Sequence, residues 1–161
     1  MNDKDFRQSL VDDARAADDL HEQSRHLLVN AVRTGARAGL TQRQIAQAIG
    51  RSQPEVSRLL RFQSKTVLGR RLADHRRQIL HILGANGMRN IRVFGSVARQ
   101  EDGPDSDVDL LADVPQDLSL FALARIEQEI SQILQTPVDI VPERGLRSNL
   151  ASRARDEAIP L

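Results

Sequence analysis

The sequence contains no cysteine, tryptophan or tyrosine, and its aromatic residues are four phenylalanines, Phe6, Phe62, Phe94 and Phe121. Without cysteine there are no disulfides, no thiolate-bound zinc and no thiol nucleophile. So few rings exclude a stacking platform for single-stranded nucleic acid and an aromatic-rich binding surface. No apolar run approaches the roughly 20 residues that span a bilayer. The opening Met1-Asn2-Asp3-Lys4-Asp5 lacks the apolar core of a signal peptide. A cytoplasmic protein is expected. A chain of 161 residues suits one ordinary domain or two small ones.

Net charge is also small, +1, but it is unevenly distributed. Residues 1–23 carry three basic and seven acidic side chains, residues 24–72 carry ten basic side chains and only Glu55, and residues 73–161 carry ten basic and fourteen acidic. A basic block between two acidic ones points to a polyanion partner for the middle of the chain and a different task for the C-terminal part.

Hydrophobic periodicity divides the chain in the same way. Leu20, Leu27, Leu28, Ala31 and Val32 recur at helical spacing within a helix-rich stretch from Phe6 to about Ala38, and short helices follow through Arg61. The polar Gln63-Ser64-Lys65-Thr66 is the linker candidate, giving expected domains of 1–66 and 67–161. A single helix is expected over Val67–Leu83, stopped by Gly84-Ala85-Asn86-Gly87. Beyond Gly87 the pattern predicts strands at Ile91–Phe94, Asp107–Ala112 and Val138–Val141. It also predicts a loop over Gly95–Ser106, a helix over Leu120–Leu134 and a helical tail from Leu146. The class is α+β, with an all-α N-terminal domain ahead of a mixed one.

Two segments carry function. In the basic block, Thr41 with Gln44 and Ser52 with Glu55 form two capping boxes, and Gly50 suits the left-handed stop between them. Two short helices and a turn of about three residues make a helix-turn-helix. The segment Leu40–Leu60 resembles that of phage-repressor-like transcription regulators, notably in Thr41-Gln42, Ile45-Ala46, Gly50 and Val56-Ser57-Arg58-Leu59. The resemblance implies operator DNA as partner, with the helix from Gln53 in the major groove. Gln53 is placed to read adenine, and Arg58 or Arg61 guanine or phosphate. Ser57, Arg43 and Arg51 suit backbone contacts. Dimeric reading of a two-fold site goes with such motifs.

The second segment is Val93-Phe94-Gly95-Ser96, a spacer, then Ser106-Asp107-Val108-Asp109. Asp107 and Asp109, two apart on an expected strand, point to one face. Their mutual repulsion is relieved by a cation between them. Oxygen donors without His or Cys suit Mg²⁺ or Mn²⁺. Asp139, in an apolar strand, is a third carboxylate whose charge there is costly unless paired or metal-bound. Such a set can support phosphoryl chemistry. Gly95 lets backbone approach a phosphate, and the Ser96 hydroxyl can donate to it. A helix starting near Ser96 would add a positive end. Arg99 either contacts a triphosphate or pairs with Glu101 or Asp102.

This pattern resembles the nucleotidyltransferases of the polymerase-beta superfamily, and within it the minimal nucleotidyltransferases of prokaryotic toxin–antitoxin modules. The likeness runs from about Leu68 to Leu161 and includes Pro137-Val138-Asp139-Ile140-Val141 and Ala158-Ile159-Pro160-Leu161. It implies a small mixed sheet with flanking helices. Gly95 and Ser96 would bind nucleotide phosphates, Asp107 and Asp109 would ligate metal, and Asp139 would help activate the attacking hydroxyl. It further implies transfer of AMP from Mg·ATP to a tyrosine of a cognate HEPN ribonuclease toxin, as a homodimer or as a hetero-oligomer with the toxin. Gln100 departs from the family, where many members have glycine. The alternative is a transcription regulator whose C-terminal domain senses a nucleotide without turning it over.

Overall fold

The structure, a computed structural model, describes residues 3–161. Two compact units divide the chain, the first ending at Leu60 and the second running Arg61–Leu161.

The first unit is helical: α1 (Asp3–Arg37), α2 (Gln42–Ile49) and α3 (Gln53–Leu60). Thr41 caps α2 reciprocally, its Oγ1 accepting from the Gln44 N–H at 3.3 Å while the Gln44 side chain accepts from the Thr41 N–H at 2.9 Å. Gly50 ends α2 at φ 66°, a left-handed position glycine occupies without a Cβ penalty. The Ser52 hydroxyl accepts from the Glu55 N–H at the start of α3. Val32, Ile45, Ala46, Val56 and Leu59 form the small core, with Leu28, Val29, Ile49 and Leu60 packed against it.

The second unit comprises α4 (Val67–Asp74), α5 (Arg76–Ala85), β1 (Arg89–Phe94), α6 (Gly95–Arg99), β2 (Val108–Asp113), α7 (Leu120–Leu134), β3 (Val138–Pro142), α8 (Ser148–Glu157) and β4 (Ile159–Pro160). A 3₁₀ turn, Glu143–Gly145, follows β3. The expected α+β class is observed. The sheet order is β3-β2-β1-β4, with β2 and β3 parallel and β1 antiparallel to both neighbours. Ile79 and Leu83 of α5, Ile126, Ile130 and Leu134 of α7, and Val93, Val108, Leu110 and Ile140 of the sheet share one buried core.

Four local expectations are corrected. The helix expected over Val67–Leu83 is two helices, broken at His75 (φ −93°, ψ 7°). There the Arg71 carbonyl accepts from the His75 N–H at 3.2 Å, and the imidazole Nδ1 lies 2.9 Å from the same carbonyl. The stretch Gln63–Thr66 lies inside the second compact unit and is ordered. The Ser64 and Thr66 hydroxyls are 2.8 Å apart, and Thr66 caps α4 by accepting from the Gly69 N–H. Part of the expected loop after Phe94 is α6. The tail adds β4, whose Pro160 carbonyl accepts from the Phe62 N–H at 2.7 Å.

Candidate functional site

Three strand ends bring the chemistry-bearing residues of the second unit into line. Phe94, the last residue of β1, is the antiparallel partner of Asp109, and Asp109 is the parallel partner of Asp139. Gly95, next to Phe94, therefore lies beside Asp109, with Asp139 on its other side. Asp107 stands just ahead of β2, two residues before Asp109. Its loop is tied down on both sides. Ser106 Oγ accepts from the Gly103 N–H at 2.9 Å, and the Ser106 carbonyl accepts from Thr136 Oγ1 at 3.0 Å.

The Gly95 position is specific to glycine for two reasons. Its φ is +73°, and a Cβ there would stand 2.4 Å from Asp109 Oδ2. The backbone at the start of α6 thus touches the carboxylate, leaving no room for a side chain. Ser96 and Asp109 are half-buried, while Asp107 and Asp139 are exposed. The exposure of Asp139 corrects the expectation of a costly buried charge. Its strand faces solvent at that position, between buried Val138 and Ile140. Burial, and then the negative charges of Asp139 and Asp107, push the Asp109 carboxyl above the usual carboxylate range, opposed by Arg99.

These carboxylates offer only oxygen donors, and repulsion from Asp139 and Asp107 adds to burial in raising the proton affinity of Asp109. A hard divalent cation relieves the same repulsion, so the residues fit such an ion chemically. Among the described residues no three His, Asp or Glu side chains stand gathered as a finished metal cage.

Arg99, left open between phosphate and acid partners, donates to Glu101 Oε2 at 2.8 Å and to Glu157 Oε2 at 3.0 Å. Glu157, on α8, carried no signal in the sequence, because its approach depends on where the last helix returns. Gln100, the departure from the family pattern, takes the left-handed conformation at φ 58° that glycine would adopt freely. Its side chain accepts from the Lys65 N–H at 3.2 Å.

In the first unit Arg43, Arg51, Gln53 and Arg58 are exposed and Ser57 is half-buried. Gln53 Nε2 donates to Gln42 Oε1 at 2.5 Å, joining the first residues of α3 and α2. Arg51 Nε is 3.8 Å from Glu55 Oε1. Arg61, also exposed, opens the second unit rather than closing α3.

Comparison with known proteins bears on the second unit. Residues 76–161 match the nucleotidyltransferase domain family. The protein adenylyltransferase MntA of Thermococcus cleftensis is 37% identical over 73 residues, 45% of this chain and 74% of that one. A Methanocaldococcus jannaschii protein, provisionally named a protein adenylyltransferase, is 32% identical over 84 residues, 52% of this chain and 90% of its own. A solved structure provisionally named a minimal nucleotidyltransferase superposes with a TM-score of 0.54 at 39% identity, covering 62% of this chain and 100% of that one.

Proposed function

We propose, for a chain that belongs to the nucleotidyltransferase domain family, that it transfers AMP from ATP to a hydroxyl of a partner protein. The chain is a nucleotidyltransferase, and adenylyl transfer to protein is the activity named for its Thermococcus relative. The observation that carries the reading is the line Gly95–Asp109–Asp139 across the sheet, with the Gly95 backbone against the Asp109 carboxylate.

In this reading Gly95 and Ser96 receive the triphosphate, because glycine lets phosphate oxygens reach backbone N–H groups and serine adds a hydroxyl. Asp107, Asp109 and Asp139 hold Mg²⁺, or Mn²⁺ in its place. That ion, when bound, neutralises phosphate charge and stabilises the pyrophosphate that leaves. Asp139, exposed beside Asp109, accepts the proton of the incoming hydroxyl. The new bond joins that oxygen to the α-phosphorus, and the bond to pyrophosphate breaks. Arg99 is held by Glu101 and Glu157 and turns toward phosphate only by giving up one of them.

In this reading the acceptor is a tyrosine of a HEPN-domain toxin, silenced by the added AMP, as the resemblance to minimal nucleotidyltransferase antitoxins implies. The first unit then supplies DNA binding through α3 for repression of the module's own operator. The basic block and the exposed Arg43, Arg51 and Arg58 support that part. Mass spectrometry of a HEPN-domain partner incubated with this chain and Mg·ATP is expected to find AMP on a tyrosine. AMP on a different class of side chain would overturn the tyrosine assignment, and an unmodified partner would overturn the transfer.

A further inference from the structure

The first unit leaves most of its longest helix uncovered. Residues 4–27 of α1 are exposed throughout, Glu22 alone being half-buried. On this stretch stand large apolar side chains: Phe6 is 51% exposed, Leu10 53%, Leu20 66% and Leu27 72%. The small core of the unit takes only Leu28, Val29 and Val32 from α1. We propose that α1 pairs antiparallel with α1 of a second copy of this chain.

The spacing carries the proposal. Phe6, Leu10, Ala17, Leu20, Leu27 and Ala31 lie on one face, separated by 4, 7, 3, 7 and 4 residues. These are coiled-coil spacings, made of heptad a and d positions. They also read the same from either end of the helix. Turning one copy end for end therefore superposes the stripe on itself in a single register, in which paired residue numbers sum to 37. Phe6 meets Ala31, Leu10 meets Leu27, and Ala17 meets Leu20, each pair joining an a position to a d position. Large side chains thereby face smaller ones at both ends of the seam and at its middle. The one acid in the seam, Asp13, meets Ser24, so no apolar side chain is placed against it. The seam runs about 38 Å from residue 6 to residue 31 at the helical rise. Val11 lies outside the stripe.

Charge decides the direction independently. Residues 3–23 carry seven acids and three bases, whereas residues 24–37 carry Arg25, Arg33 and Arg37 and no acid. In this register, an antiparallel pair sets residues 3–13, with four acids and two bases, beside residues 24–34 of the second copy, with Arg25 and Arg33 and no acid. A parallel pair would set acid beside acid along the whole N-terminal half. A foreign helix could cover the stripe, but it would account for neither the palindromic spacing nor the internal charge reversal.

The test uses the full chain, which has no cysteine of its own. Leu10→Cys and Leu27→Cys are made separately at these exposed positions, so neither endangers the core. Under mild oxidation an equimolar mixture is expected to give a disulfide-linked dimer, and each variant alone is expected to give none. Cross-linking of Leu10→Cys to itself would establish the parallel arrangement and overturn the proposal. Sedimentation velocity supplies the second readout. The parent chain is expected to sediment as a dimer and Leu20→Glu, with unchanged helical circular dichroism, as a monomer. A monomeric parent chain, or a dimer that survives Leu20→Glu, would also overturn it.

Discussion

At the scale of single residues, Gly95 is the tightest constraint in the site. Gly95→Ala must accept a left-handed backbone, which costs an L-residue about 1–2 kcal/mol. It must also push away the Asp109 carboxylate that its Cβ would meet at 2.4 Å. A displacement of about 1 Å at a reacting centre lowers turnover on the order of 10²-fold. Steady-state AMP transfer by Gly95→Ala is expected to fall by that order while circular dichroism stays native. Near-normal transfer would mean that the contact is not part of the site. Glu143 makes a different residue-scale case. Arg92 Nη2 at 2.5 Å and Arg155 Nε at 2.7 Å hold it from β1 and from α8. The Arg92 bond, aided by Arg155, keeps its carboxyl below the usual glutamate range. A carboxylate more acidic in the folded chain than in the unfolded one stabilises the fold above its unfolded pKa. That contribution is lost as pH falls through the lower, folded value. Thermal melts are therefore expected to show a steeper acid-side loss of Tm in the parent chain than in Glu143→Gln. Equal slopes would show that the cluster is not linked to folding.

At the scale of elements, α3 is the part on which the DNA proposal stands. Arg51→Ala, Arg58→Ala and Arg61→Ala together are expected to weaken duplex binding. They should also flatten the plot of log affinity against log salt, by about 0.9 for each phosphate contact removed. Fluorescence anisotropy across a salt series measures both, and an unchanged slope would place these side chains away from the phosphates. What could be read of the elements in the sequence follows how local their causes are. Thr41, Gln44 and Gly50 mark the ends of α2 because capping depends on neighbours within four residues. The α7 span was read from its apolar periodicity, and the structure adds the cap, Ser119 Oγ accepting from the Ala122 N–H at 3.1 Å. The break at His75 was not legible, since Leu72 and Ile79, either side of it, continue the apolar pattern. Nor was β4, because two residues become a strand only by pairing with β1. In the site, the spacing of Asp107 and Asp109 brought two carboxylates close together, near enough that the charge of Asp107 acts on Asp109. The contact of Gly95 with Asp109 and the alignment of Asp139 required strand register, which the sequence does not contain.

At the scale of the whole molecule, binding of DNA and transfer of AMP are expected to be separable, because their candidate residues are concentrated in different compact units. The place to cut is before Arg61. Phe62 is 4% exposed in the core of the second unit, and a start at residue 67 would discard it. Loss of a buried phenylalanine costs about 3–5 kcal/mol. The 67–161 fragment is therefore expected to melt well below the 61–161 fragment, and coincident melting curves would deny Phe62 that part. The longer fragment is expected to transfer AMP without binding operator DNA. If it folds but cannot transfer while the full chain can, separability fails. The central claim is that the aligned carboxylates carry out nucleotidyl transfer to a protein. Its most direct measurement is incorporation of label from ATP, marked at the α-phosphate, into a HEPN-domain partner by the full chain and by Asp107→Ala/Asp109→Ala. The parent chain should label the partner and the double variant, folded by circular dichroism, should not; equal labelling by both would contradict the assignment.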